Sequence, residues 1–218
     1  MIGVTRAMND RIFNKCKEKI LKPRSGFTPF LIKVFLMFSC LTYFGLAQAE
    51  LPKEVRESYL KGAFLRYAAR LVQWPKEAIP GNEFTICVLG QVDYYKGLES
   101  IDNKSAEDYI LKLKKIQSLS EANQNCQILY VTNTEKDNQD KIIKALRKKP
   151  ILGFSDIEDF AKHGGAMNFY EVNNRLAIQV NTIALNESNL KINPRMLKLV
   201  TIVPDLHEKT VTGDSPRS

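Results

Sequence analysis

A chain of 218 residues with 44% hydrophobic and 26% charged residues is long enough for one sizeable core, short for two, and ordinary in composition for a globular protein. The net charge of +8 suggests nucleic acid until the charges are located: residues 1–49 hold 8 of the 32 Lys/Arg and 2 of the 24 Asp/Glu. The remainder carries 24 basic and 22 acidic residues, net +2, which removes the electrostatic case for a nucleic-acid partner.

Taken in chain order, the first element is a basic leader. Val34 to Leu46 is free of charge but too short for a membrane-spanning helix, which needs about 20 apolar residues. It fits the apolar core of a signal peptide, with Ala47-Gln48-Ala49 as the small-x-small cleavage site and Glu50 as the new N-terminus. Residues 1–49 therefore read as a cleavable signal peptide and 50–204 as one exported domain; an uncleaved anchor or a buried helix is the alternative. Met8 is a second candidate start. A lipoprotein reading through Cys40 fits poorly, because the bulky Met37 and Phe38 precede it.

From Glu54 to Gln73 the apolar positions Leu60, Phe64, Tyr67, Ala68, Leu71 and Val72 recur at helical spacing, and Pro75 marks the stop. Phe84 to Leu89 reads as a buried strand ending at Gly90, and Val92 to Leu98 as a short helix. Tyr109, Leu111 and Leu113 alternate with Ile110, Lys112 and Lys114, the pattern of a half-exposed strand with a lysine-guarded edge. Ile128 to Val131 is a further buried strand, Glu135 to Arg147 a helix, and Ile151 to Phe154 another strand. Ser155 with Glu158 has the spacing of a capping box.

Gly164-Gly165 turns into Ala166 to Val172, which Asn173-Asn174 joins to Leu176–Val180 as a hairpin. A closing amphipathic stretch carries Leu190, Ile192, Met196, Leu197 and Val200, and residues 205–218 read as a disordered polar tail. Strands alternating with helices predict a single compact α/β domain: a Rossmann-like central sheet, flanking helices and a C-terminal β-hairpin.

Catalytic patterns are missing from the sequence. It has no HExxH, no GxSxG, no phosphate-binding loop and no paired CxxC, so neither an enzyme, nor a metal site, nor a cofactor is expected. Of the two histidines, His207 falls in the tail and His163 reads as a loop residue before Gly164. Trp74 reads as a packing residue at a helix end. The leader takes Cys16 and Cys40 with it, leaving Cys87 and Cys126; in an oxidising compartment these pair, or else they are two unrelated buried thiols.

Five blocks then stand in a familiar order: YLKGAFLRYAARLVQWP (Tyr59 to Pro75), FTICVLG (Phe84 to Gly90), CQILYV (Cys126 to Val131), ILGFSD (Ile151 to Asp156), and the Gly164–Val200 segment. Together they resemble the YfiR/HmsC family of periplasmic proteins from about Tyr59 to Val203. The resemblance implies a periplasmic regulator that binds and represses an inner-membrane diguanylate cyclase through that enzyme's periplasmic sensor domain, so lowering cyclic-di-GMP and biofilm formation. An OmpA-like outer-membrane lipoprotein is implied as a second partner, and a homodimer stays open. It also implies a Cys87–Cys126 disulfide. The second cysteine pair that some members carry near the Gly-Gly turn has no counterpart, since Ala161 and Asn168 stand there. The competing reading is a periplasmic solute-binding or sensor module coupled to a membrane receptor or kinase, which an apolar pocket near Trp74 would favour. For the partner contact, the C-terminal block offers Ile183, Leu185, Leu190 and Ile192, more apolar side chains with Leu197 than one short helix face buries; the alternative is that all are core.

Overall fold

The computed structural model describes residues 51–92 and 95–206, without the side chains of residues 123 and 124. The expected signal peptide with its Ala49–Glu50 cleavage site, Met8, Cys16, Cys40 and His207 lie outside the described residues.

Helix α1, Lys53–Leu71, opens the domain and runs into a two-residue strand β1, Val72–Gln73. A 3-10 turn at Lys76–Ala78 leads to β2, Glu83–Leu89. Then follow α2 (Tyr95–Glu99), β3 (Ser105–Ala106), β4 (Tyr109–Ile116), α3 (Leu119–Asn125) and β5 (Ile128–Val131). The helix expected from Glu135 is a 3-10 segment, Asn133–Asn138, continuing into α4, Gln139–Leu146. Strand β6, Leu152–Ser155, precedes a run of turns, and the hairpin is β7 (Met167–Val172) with β8 (Arg175–Val180). The chain finishes with α5 (Thr182–Glu187), β9 (Lys191–Ile192), α6 (Pro194–Leu197) and β10 (Thr201–Ile202).

The main sheet has the order β10-β8-β7-β6-β5-β2-β4-β3, and β1 pairs separately with β9. Strands β4, β2, β5, β6 and β7 are mutually parallel, while β8 returns antiparallel to β7. In chain order these five parallel strands run 2-1-3-4-5, a doubly wound arrangement. Period-2 alternation sorts their side chains into two layers. Phe84, Ile86, Val88, Ile128, Tyr130, Leu152 and Phe154 point to the face that Leu65 and Ala68 of α1 cover. Cys87, Leu89, Leu129 and Val131 point to the other, where Ile142, Ile143 and Leu146 of α4 close the second layer. The α/β expectation with flanking helices and C-terminal hairpin is what the chain forms, and both Asn173 and Asn174 take the positive φ that their turn requires (49° and 59°).

Three local expectations are corrected. The buried face of α1 is Ser58, Gly62, Leu65, Ala68 and Ala69, whereas Leu60 and Tyr67 stand 46% and 50% exposed. Small side chains are needed here because α2 lies against the helix backbone: a Cβ on Gly62 would sit 2.8 Å from the Gly97 carbonyl oxygen. Ser155 does not cap a helix. It ends β6 fully buried, its hydroxyl donating to Val131 O (2.8 Å) and accepting from Ile157 N (2.9 Å), and turns follow instead. The closing amphipathic stretch is not one continuous element but short fragments. Asn181 caps α5 by accepting from Ile183 N and Ala184 N, and Asn193 caps α6 ahead of Pro194.

The first two residues of the expected tail are tied down. Asp205 is buried and accepts from Asn181 Nδ2 at 3.1 Å, and Leu206 N donates to Lys162 O. Beside the Gly-Gly turn, Ala161 N donates to Asn168 Oδ1 (3.0 Å) while Asn181 Nδ2 donates to Ala161 O (2.9 Å), a buried amide network that joins the turns to β7 and α5.

Candidate functional site

Strand β4 lies on one side of β2 and β5 on the other, so the loops leaving β2 and β5 diverge at their C-terminal ends. A crevice opens at such a switch point in doubly wound sheets. Gly90 takes φ +97° there, and a side chain on it would collide with the Thr132 and Thr134 hydroxyls. Those hydroxyls bond one another at 2.8 Å, and Gln91 N donates to Thr134 Oγ1 at 2.9 Å, which fixes the two loops together.

The first half of α1 covers the opening. Glu54, Glu57, Ser58 and Lys61 follow helical spacing and face the strand ends. Lys61 Nζ lies 2.9 Å from Glu57 Oε1 and 3.1 Å from Asp156 Oδ2, at the residue that follows β6. Tyr130 OH donates to the same Asp156 oxygen at 3.0 Å. The other oxygen, Asp156 Oδ1, is buried with no hydrogen-bond partner. Burial works against charge on Lys61, but Asp156 and Glu57 outweigh it and hold its pKa above the usual lysine value. Burial, reinforced by Asp156, also raises the Tyr130 phenol well above its ordinary range, so it remains a donor.

The crevice has two lobes that share Glu57, Lys61, Asn133 and Asp156. The lobe toward β2 and β5 holds about 310 Å³ and includes Glu54, Gln91, Val92 and Leu98. The other holds about 390 Å³ and reaches the hairpin, where Lys53 Nζ bridges to Glu171 (2.9 Å) and Asn174 (3.2 Å). The arrangement can bind a small polar molecule. No group of three or more His, Cys, Asp or Glu side chains among the described residues is placed to hold a metal.

The residues singled out from sequence fall elsewhere. Cys87 and Cys126 form a disulfide in the layer on the far side of the sheet from α1, with Cα atoms 5.8 Å apart. Of the expected contact residues, Leu185 (1% exposed) and Leu190 (0%) belong to the core and cannot meet a partner: the Asn181 cap turns α5 so that Leu185 packs inward. Ile192 is half-buried opposite Val72 in the β1–β9 pair, and Ile183 is the one of the four that is exposed. Trp74 packs edge-on against Phe84 (4.9 Å) as a helix-end packing residue. His163 is an exposed turn residue whose Nδ1 lies 3.0 Å from Asp159 O.

Sequence reading missed Lys61, Tyr130 and Asp156. The available signal was position: an acid placed directly after an apolar strand run sits at the carboxyl end of that strand, where parallel sheets bind ligands. No helix among the described residues is long and apolar enough to cross a membrane. No curated protein matches the sequence. The YfiR/HmsC-like family matches residues 58–201, from within α1 to β10, and the chain belongs to that family.

Proposed function

We propose that the protein is a periplasmic regulator that binds an inner-membrane diguanylate cyclase and holds it inactive. The observation that carries this reading is the family match, which covers nearly the whole described domain, from Ser58 to Thr201. Under it, residues 1–49 are removed on export, and the intact mass of protein from a periplasmic fraction corresponds to a chain beginning at Glu50. A full-length product in the cytoplasm or membrane overturns the localisation.

Repression by contact is differential binding. Moving a two-state enzyme from mostly on to mostly off takes about 5.5 kcal/mol of preference for the off state, which calls for apolar contact more than a few surface charges. Exposed apolar and aromatic side chains are present on α1 (Tyr59, Leu60, Tyr67) and at Ile183. Deleting the gene raises cellular cyclic-di-GMP and biofilm, and Ile183→Glu reproduces the deletion at unchanged protein level and melting temperature if the C-terminal block makes the contact. Unchanged cyclic-di-GMP in the deletion strain overturns repression. It would favour the second reading, a solute-binding module linked to a membrane receptor, which the crevice under α1 supports.

A further inference from the structure

We infer that the outer face of α1, with the turn between α2 and β3, is a docking surface for a short acidic segment of a partner protein. The inference rests on the reading above only in that the protein acts by contact with another protein. It adds where the contact lies and what chemistry it meets, and it does not require the partner to be a cyclase. Tyr59, Ala63, Arg66, Tyr67 and Arg70 are spaced i, i+4, i+7, i+8 and i+11, so they share one face of α1, the face turned away from the crevice. With Lys104 they line a groove of about 320 Å³.

Charge sets the two faces of the helix apart. On the inner face Lys61 lies between Glu57 and Asp156, and Lys53 is bridged to Glu171. The groove on the outer face is lined by three cations and no carboxylate. Arg66 Nε donates to a neutral acceptor, Ser105 O, at 3.0 Å. Arg70 reaches one carboxylate, Glu107 at the rim, only at 3.6 Å, and both side chains stand about half in solvent. The groove therefore keeps a positive field that an acidic segment neutralises, and guanidinium groups match carboxylates in shape as well as charge. Between the cations stand Tyr59 and Tyr67, both half-exposed. Tyrosine and arginine are the residue types that carry most binding energy in protein interfaces, because a ring brings area and a polar tip at little entropic cost. The groove is also preformed: Gly62 seats α1 on the backbone of α2 at Gly97, and the Arg66–Ser105 bond fastens the following turn to the helix. Rigid walls of that kind spare the ordering cost of binding. An acidic segment with an apolar side chain among its carboxylates fits both the rings and the guanidinium groups. A lipid bilayer is flat and meets protruding cations, whereas these line a hollow. Nucleic acid needs a wider basic field than the net +2 that residues 50–218 carry.

The test is photo-cross-linking in the native cells. The full chain carries p-benzoylphenylalanine in place of Tyr67, or in place of Ile183 as a second probe, and the cross-linked peptides are sequenced by mass spectrometry. Tyr67 is half-exposed and aromatic, so the benzophenone replaces it without entering the core. Position 67 is expected to capture one predominant protein through a segment that carries several Asp or Glu residues. Arg70→Glu with Lys104→Glu changes two exposed side chains and shifts the melting temperature by about 2 °C at most. The same pair places like charge against the acidic segment and lowers the cross-link by about tenfold or more. The inference is overturned if position 67 captures no protein, captures a neutral or basic segment or a second copy of this chain, or cross-links undiminished in the charge-reversed variant. Cross-links confined to position 183 overturn the placement on α1 and leave a protein partner standing. An acidic cross-link at position 67 in cells whose cyclic-di-GMP is unchanged by deleting the gene upholds the docking surface and overturns repression.

Discussion

Replacing Cys87 by Ser, or reducing the bond, lowers the melting temperature by about 10 °C or more. The Cys87–Cys126 disulfide closes a loop of 39 residues, for which loop-closure entropy gives about 4 kcal/mol. In a domain of this size each kcal/mol moves the midpoint by about 2–4 °C. Both cysteines are buried, at 0% and 5% exposure, so serine also places a hydroxyl among Leu129, Val131 and Ile142. The bond pins β2 to the entry of its neighbour β5 and spans everything between them, namely α2, β3, β4 and α3. Thermal unfolding with and without reductant measures the effect. Equal midpoints, with peptide mapping that finds both thiols free in the untreated protein, would refute it.

Gly97→Ala is the second large effect, and its sign is informative. Helix propensity alone predicts a gain of about 0.5–1 kcal/mol when alanine replaces glycine inside a helix. Packing predicts the reverse: a Cβ at Gly97 would overlap the backbone of Ser58 and Tyr59, and backbone cannot swing aside as a flexible side chain can. Overpacking of this kind costs about 1–3 kcal/mol, with the upper end expected where main chain is struck. The contact outweighs the propensity, and the melting temperature falls by several degrees. Because α1 carries Glu54, Glu57 and Lys61, lifting it also opens the crevice. Melting at or above the wild-type temperature would show that α1 is not seated as described.

The elements legible in the sequence were those whose cause is local. FTICVL, ILYV and the run after Pro150 are apolar stretches bounded by glycine, proline or polar turns, and they form the parallel strands at nearly the expected places. Asn173-Asn174 dictates its hairpin through backbone preference alone. What escaped depended on neighbours distant in sequence. Hydrophobicity chose Leu60 and Tyr67 for the inner face of α1, but the close approach of α2 made side-chain size the deciding quantity, and Ser58 and Gly62 went inside. The last block reads as a closing amphipathic stretch, and only the caps Asn181 and Asn193, the second ahead of Pro194, divide it into separate short helices. The crevice was invisible for the same reason, because Lys61 and Asp156 stand 95 residues apart.

That separation has a kinetic consequence. Helix α1 precedes in chain order everything that seats it: Gly97 of α2, then Asp156 after β6, then Glu171 on the hairpin, 118 residues beyond Lys53. A chain that extends only to β5 lacks the part of the docking surface of α1 that Asp156 and Glu171 supply. Parallel pairings between β2, β4, β5 and β6 are likewise non-local, which slows folding and prolongs the exposure of apolar faces. The crevice therefore depends on contacts that span most of the domain, and chains cut short before Asp156 keep the α2 contact at Gly97 but lack the Lys61–Asp156 and Lys53–Glu171 bridges.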